Sequence, residues 1–225
     1  MKNWNEREHP IARRLLHGSC AAALAVTLSL SGAVLAHADP VTPPPVPAKL
    51  QVDANNRAFL VGHGVGTQNY ICLPCPNPTT PGAMCPDTSG FAWLLFTPEA
   101  TLFSDQDRQL TTHFFSPNPD EHGTIRATWQ DSRDSSTVWA KALQSSSDAP
   151  FVAPDAIPWV LLQVVGAEGD PTGSSTLTKT TFIQRLNTAG GVAPSTGCTD
   201  LDDVGAKAFV PYTADYFFYS PTHGN

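Results

Sequence analysis

Ile157-Pro158-Trp159-Val160-Leu161-Leu162-Gln163-Val164-Val165 is the stretch that decides the fold. It is apolar at nearly every position, of strand length, and lacks the alternation of a half-buried strand. Such a run is expected to be covered on both faces, near the middle of a sheet. A loop from Gly166 to Ser175 follows, punctuated by Gly166, Gly169, Pro171 and Gly173. The chain resumes at Thr176 as a second run to Leu186, rich in β-branched residues, and stops at Gly190-Gly191. Two strand-like runs joined by a Gly/Pro loop predict an antiparallel hairpin.

The same signals recur on either side of this hairpin. Strand-like runs cover 58–61, 66–72, 91–96, 100–103, 109–115, 124–130, 137–143 and 209–219. The run 124–130 alternates cleanly, so Ile125, Ala127 and Trp129 are expected to face inward. In the last run Val210, Tyr212, Ala214, Tyr216 and Phe218 share one face. Roughly nine or ten short strands are expected, with no helical periodicity beyond two turns. The 21 prolines also argue against helices. These observations predict an all-β, single-domain antiparallel β-sandwich or β-barrel with long loops.

The first 38 residues read as a secretory signal. Lys2, Arg7, Arg13 and Arg14 form a basic start, an apolar run spans Cys20 to Leu35, and Ala36-His37-Ala38 is a small-x-small cleavage site. Cleavage is expected after Ala38. The apolar run is broken by Ser29, Ser31 and Gly32, too short for the roughly 20 residues of a membrane span. Residues 39–49 form a Pro-rich linker, expected to be extended and mobile. A single β domain over 50–220 and a tail over 221–225 complete the chain. The expected location is periplasmic or secreted.

The chain carries 13 Lys+Arg against 20 Asp+Glu, a net charge of −7. Loss of the basic leader makes the remainder more acidic still. Such a surface repels nucleic acid and anionic lipid heads, so neither is an expected partner. Cys72, Cys75, Cys85 and Cys198 remain after the leader, an even number that implies disulfides in an exported chain. Of the three pairings, Cys72–Cys198 with Cys75–Cys85 is preferred: the second closes a small Pro-rich loop and the first ties the two ends of the domain together, while Cys72 and Cys75 are too close for an easy bridge in an extended chain. The long loop is worth about 4–5 kcal/mol in the chain-entropy model. A zinc site at Cys72-x-x-Cys75 lacks the second CxxC that it would need.

The strings GTQNYICLP, FAWLLFTPEATLF, HFFSPNP, GTIRATWQDSRDSSTVWA, IPWVLLQVVGAEGDPTG, FIQRLNTAGGVAP and VPYTADYFFY resemble the DUF3455 domain family of exported bacterial and fungal proteins. The resemblance runs from about Leu50 to Tyr219. It implies an exported, β-rich, cysteine-bridged domain of uncharacterised function, with Cys72 and Cys198 in the place of the family's common pair. It supplies no catalytic residues. A dinucleotide site is not expected either, since no GxGxxG opens a βαβ unit.

Four residues stand out as candidate functional positions. His113 lies on a predicted strand and His122 in the next loop, without ligand spacing between them, so no metal or other cofactor is expected. His113 is read as a core or rim histidine. Asp215 is embedded in an aromatic strand, and Arg185 is its expected partner in a half-buried bridge across the sheet. Trp139 shares a face with Lys141 and is expected to be exposed, a candidate platform for a sugar. Ser132, Ser135, Ser174 and Ser175 sit in turns, and no G-x-S-x-G elbow exists. The expected function is a non-enzymatic envelope or secreted binding module, with a glycan or surface component as candidate ligand. The alternative is a carboxylate-dependent hydrolase or other secreted enzyme acting near Arg185.

Overall fold

The computed structural model describes residues 40–75 and 90–222. The expected leader and its expected cleavage site after Ala38, Cys85 and residues 223–225 of the expected tail lie outside the described residues. Eight strands follow in order: β1 Asn56–Pro74, β2 Phe91–Phe103, β3 Gln109–Asn118, β4 Thr124–Asp131, β5 Thr137–Ser146, β6 Trp159–Glu168, β7 Phe182–Gly190 and β8 Lys207–Pro221. Each pairs antiparallel with the next, and β8 returns to β1 to close a barrel. The all-β expectation holds, and of the two architectures left open the barrel is the one formed. Among the described residues, no helix is long and apolar enough to cross a membrane.

The opening stretch shows why β6 lacks alternation. Val160 and Leu162 point into the barrel, where they pack with Trp129, Val138, Ile183 and Phe218. Trp159 and Leu161 point outward and are just as buried, under a second cluster with Leu50, Val152, Leu186 and Phe217. The predicted hairpin also forms, pairing Val160–Gln163 with Phe182–Arg185. The Pro-rich segment helps build the outer cluster and so is not the mobile tether expected. Val41 and Val46 pack against it, Leu50 is fully buried, and Gln184 donates to the Leu50 carbonyl at 2.6 Å. Full burial of a leucine is worth roughly 1.5–3 kcal/mol, enough to hold a short extended segment in place.

Three expectations need correction. The strand count falls to eight because the runs 58–61 and 66–72 fuse into β1, and 91–96 and 100–103 fuse into β2. The glycines between the first two runs are not breaks. A Cβ on Gly64 would lie 2.8 Å from the Tyr216 ring, and one on Gly66 would lie 2.1 Å from the Glu99 carbonyl. They let bulky interior side chains and the neighbouring strand approach the backbone. Pro98 likewise stays inside β2. Finally, Thr176–Thr181 is not strand. Asp134 accepts from the Thr176 N–H and hydroxyl, Ser136 Oγ accepts from the Leu177 N–H, and Thr180 caps the Leu177 carbonyl. These local bonds override the β preference of the threonines and drive Leu177 into the barrel, where it is fully buried.

Cys72 and Cys198 are bridged with Cα atoms 5.5 Å apart, as expected. The bond ties β1 to the β7–β8 connection, which Cys72 also reaches through backbone hydrogen bonds with Ala206 and Gly205. Cys75 is disulfide-bonded as well.

Candidate functional site

The two ends of the barrel differ. Leu102, Val138, Leu177, Ile183 and Phe218 fill one half and are each fully buried. The other half holds a cavity of about 300 Å³. Its floor is built from Gln68, His113, Trp129 and Tyr216, all at most 4% exposed. Its rim carries Leu95 at 39% and Ile125 at 56% exposure, so the cavity opens to solvent. An eight-stranded barrel is just wide enough to be filled by side chains or to hold one small ligand. Here one half does each.

The opening traces to where strands part. The β2–β3 ladder runs only from Phe103–Gln109 to Ala100–His113. Pro98 has no N–H to continue it, and the Phe115 N–H turns instead to the Thr97 hydroxyl at 3.1 Å. A shallower outer groove of about 360 Å³ lies along this gap, sharing Pro98 and His113 with the lumen.

His113 stacks on Trp129 with ring centroids 4.1 Å apart and planes 10° apart. Its Nδ1 donates to the Thr128 carbonyl at 2.9 Å, which leaves Nε2 as the acceptor of a neutral ring. Burial pushes its pKa down to about 3, and the Arg185 charge pushes the same way. The expectation of a core or rim histidine therefore holds, with the ring on the cavity floor. Tyr216 donates to or accepts from Tyr212 across 2.8 Å. Burial raises the Tyr216 phenol well above its usual range, so both hydroxyls stay neutral.

Arg185 enters the same lumen and does not meet Asp215. In the β7–β8 register Arg185 lies opposite Tyr216, which faces in, while Asp215 lies opposite Leu186, which packs in the outer cluster. Neighbouring positions of a strand face opposite ways, so the expected bridge cannot form. Arg185 donates instead to the Pro158 carbonyl at 2.9 Å. Among the described residues it has no carboxylate within ion-pair distance. Among the described residues, three buried N–H groups on side chains of the lining have no hydrogen-bond partner: Gln68 Nε2, Trp129 Nε1 and Arg185 Nε.

At the rim, Arg126 forms a two-pronged pair with Glu121, at 2.7 and 2.8 Å. Arg126 first, and then Asn118, hold the Glu121 carboxyl down at about 2. Lys141 lines the same edge, exposed. Trp139 is not the exposed platform expected. It is 6% exposed, and its indole N–H donates to Ser116 at 2.8 Å. It faces outward, but β3 reaches over it: Asn118 bonds to Val165 and sits against Gly166, the cross-strand neighbour of Trp139.

Asp215 belongs to a separate cluster on the outer wall. His63 Nδ1 lies 2.7 Å from Asp215 and its Nε2 lies 2.8 Å from Asp105. Asn187 donates to the other Asp215 oxygen at 2.8 Å. Two carboxylates on two ring nitrogens require both to carry protons, which only the imidazolium supplies. The hydrogen bond with Asp215 accordingly raises the His63 pKa, against partial burial and with help from Asp105. Among the described residues, no three metal-ligating side chains are grouped to hold an ion.

The sequence did hold signals for the lumen. Gly62, Gly64, Gly66 and Gln68 recur at period two, which puts the glutamine on the glycine face. Alternation along 124–130 turns Trp129 inward, but it carries no sign that the indole N–H lacks a partner.

Fold and site together define a closed, eight-stranded up-and-down barrel with a half-open lumen, largely apolar in its wall and polar on its floor. Within that class, a family model described as "Protein of unknown function (DUF3455)" matches residues 53–220, and the chain belongs to this family. No curated protein and no solved structure matches it.

Proposed function

We propose that this domain is a binding protein whose barrel lumen takes one small, largely apolar ligand bearing hydrogen-bond acceptors. The observation that carries the reading is the set of three unpartnered N–H groups around the cavity, on Gln68, Trp129 and Arg185. A buried donor without a partner costs about 1–3 kcal/mol, more when charged. Three at one cavity mark a place that a ligand repays. The volume of about 300 Å³ lies at the lower end for small-molecule sites. Apolar side chains such as Leu95, Phe115, Val160 and Leu162 supply most of the wall. A flat aromatic sugar platform draws no support from Trp139, which is covered. Carboxylate-dependent hydrolysis beside Arg185 draws none either, since among the described residues no Asp or Glu lines the lumen. The reading places the domain outside the cytoplasm, supported by the leader-like start and the disulfide chemistry.

The test uses the neutral dye N-phenyl-1-naphthylamine, which brightens in apolar surroundings. Saturable one-to-one binding is expected, lost in Ala142→Trp, which fills the rim of the cavity without touching its floor. No saturable binding, or binding unchanged in the folded variant, overturns the reading.

A further inference from the structure

We propose that the lumen ligand is a small monocarboxylic acid, its carboxylate held on the floor by Arg185 and its apolar body running towards the rim. This inference rests on the ligand-binding reading of the same cavity and adds the head-group chemistry.

The three unpartnered lining atoms are all donors. A neutral polar head such as an amide or a hydroxyl would bring donors of its own, and these would compete for the few acceptors present. An ionised carboxylate is acceptor-only and offers about four lone-pair positions. It suits a lumen whose described lining offers the Arg185 guanidinium and no carboxylate.

The charge distribution points the same way. The chain as a whole is acidic, at −7, yet the described residues lining the lumen include three cations and no carboxylate. Arg126 is already neutralised by Glu121. Lys141 stands in solvent at the rim. Arg185 alone is half-buried with no anionic partner among the described residues. A guanidinium cannot shed its proton to escape this situation, and a half-buried unpaired charge is costly. His113 and the two tyrosines beside it are neutral, so none competes for the anion or repels it. One available arginine favours a single negative charge over a phosphate dianion.

The experiment displaces N-phenyl-1-naphthylamine from the full mature chain with octanoate, 1-octanol and octyl phosphate. Octanoate is expected to bind at least tenfold more tightly than 1-octanol. In Arg185→Gln that preference should shrink to less than threefold while the dye still binds. Arg185→Lys, which keeps the charge but not the planar fork, should fall between the two, and it serves if the glutamine variant does not fold. Equal binding of octanoate and 1-octanol to the wild type overturns the carboxylate proposal and leaves lumen binding standing. Tighter binding of octyl phosphate than of octanoate also overturns it, reassigning the head group. Failure of the dye itself to bind removes the underlying reading, and this inference with it.

Discussion

The filled end and the open end of this barrel are built from the same eight strands by opposite means. At the filled end a loop folds inward: Leu177 enters the lumen, and Asp134 and Ser136 pin its backbone from the β4–β5 turn. Burial opposes the ionisation of Asp134, but hydrogen bonds from Ser136 and Thr176 outweigh it and hold the carboxyl well below its usual range. At the open end the β7–β8 connection is held back. It is fastened to the wall by the Cys72–Cys198 bridge, by Tyr70 to Gly191 at 2.6 Å and by Trp93 to Thr196 at 2.9 Å. The plug is held by side chains that accept from its backbone N–H groups, whereas side chains lining the open half keep three buried donors without a partner among the described residues. The fold spends its apolar contacts on stability at one end and keeps polar groups ready at the other.

Cutting the covalent fastening should give the largest effect. Two residues 126 positions apart close a loop worth about 4–5 kcal/mol in the chain-entropy model. The double variant Cys72→Ser/Cys198→Ser is expected to lose about 4 kcal/mol of unfolding free energy in urea. Dye binding should weaken too, because Gly191 of the released connection packs against Gln68 on the floor. A loss below about 1 kcal/mol would mean that the backbone bonds of Cys72 hold the connection unaided. Next comes the plug. Leu177→Ala should cost about 3 kcal/mol, within the range for a buried leucine, and leave dye affinity unchanged. If affinity falls in step with stability, the two halves are not independent.

How much of this was legible in the sequence depends on the range of the contact. The β6–β7 hairpin, the inward faces of β4 and β8 and the all-β class follow from local alternation. Closure does not, because β1 finds β8 across most of the chain, and nothing local distinguishes a barrel from a sandwich. The fused strands were missed because Gly62 to Gly66 and Pro98 read as breaks, when their use is close approach and the parting of two strands. The plug was missed because threonines that favour strands locally also cap turns. The Arg185–Asp215 bridge was a different kind of error. Tyr212, Ala214, Tyr216 and Phe218 share one face, and Asp215 lies between two of them. The face assignment already excluded a partner in the lumen. The unpartnered donors could not be read at all, since they depend on what surrounds each group in three dimensions.

The lumen and the outer wall also place their histidines in opposite electrostatic situations, and pH separates them. His113 is held neutral, with its pKa pushed by burial to about 3. An unfolded chain would take up a proton near pH 6.5, so the stability that this histidine confers is lost as pH falls from about 6.5 towards 3. The slope is about 1.4 kcal/mol per pH unit. His113→Phe keeps a ring to stack on Trp129 and removes the titration. Between pH 7 and pH 4.5 the wild type is expected to lose roughly 2–3 kcal/mol relative to this variant in denaturant unfolding. An unchanged difference would mean that the floor is wet enough to admit the charged ring.

His63 should show the smaller effect, with the reverse sign. It is held charged between Asp215 and Asp105, so its folded pKa lies above the unfolded value. Its contribution is fully present below the unfolded pKa and disappears as pH rises through the folded one. The ring is 41% exposed and Asp105 73% exposed, so solvent screens the cluster and its worth is about 0.5–1 kcal/mol. Because the cluster joins β1, the β2–β3 loop and β8 on the outer wall, its loss should leave the lumen untouched. His63→Gln is expected to lower stability at pH 5.5, by an amount that shrinks at pH 8.5 and in high salt, with dye affinity constant throughout. A difference that instead grows with pH would mean that the ring is neutral in the folded chain. One of the two carboxylates would then be facing a nitrogen without a proton.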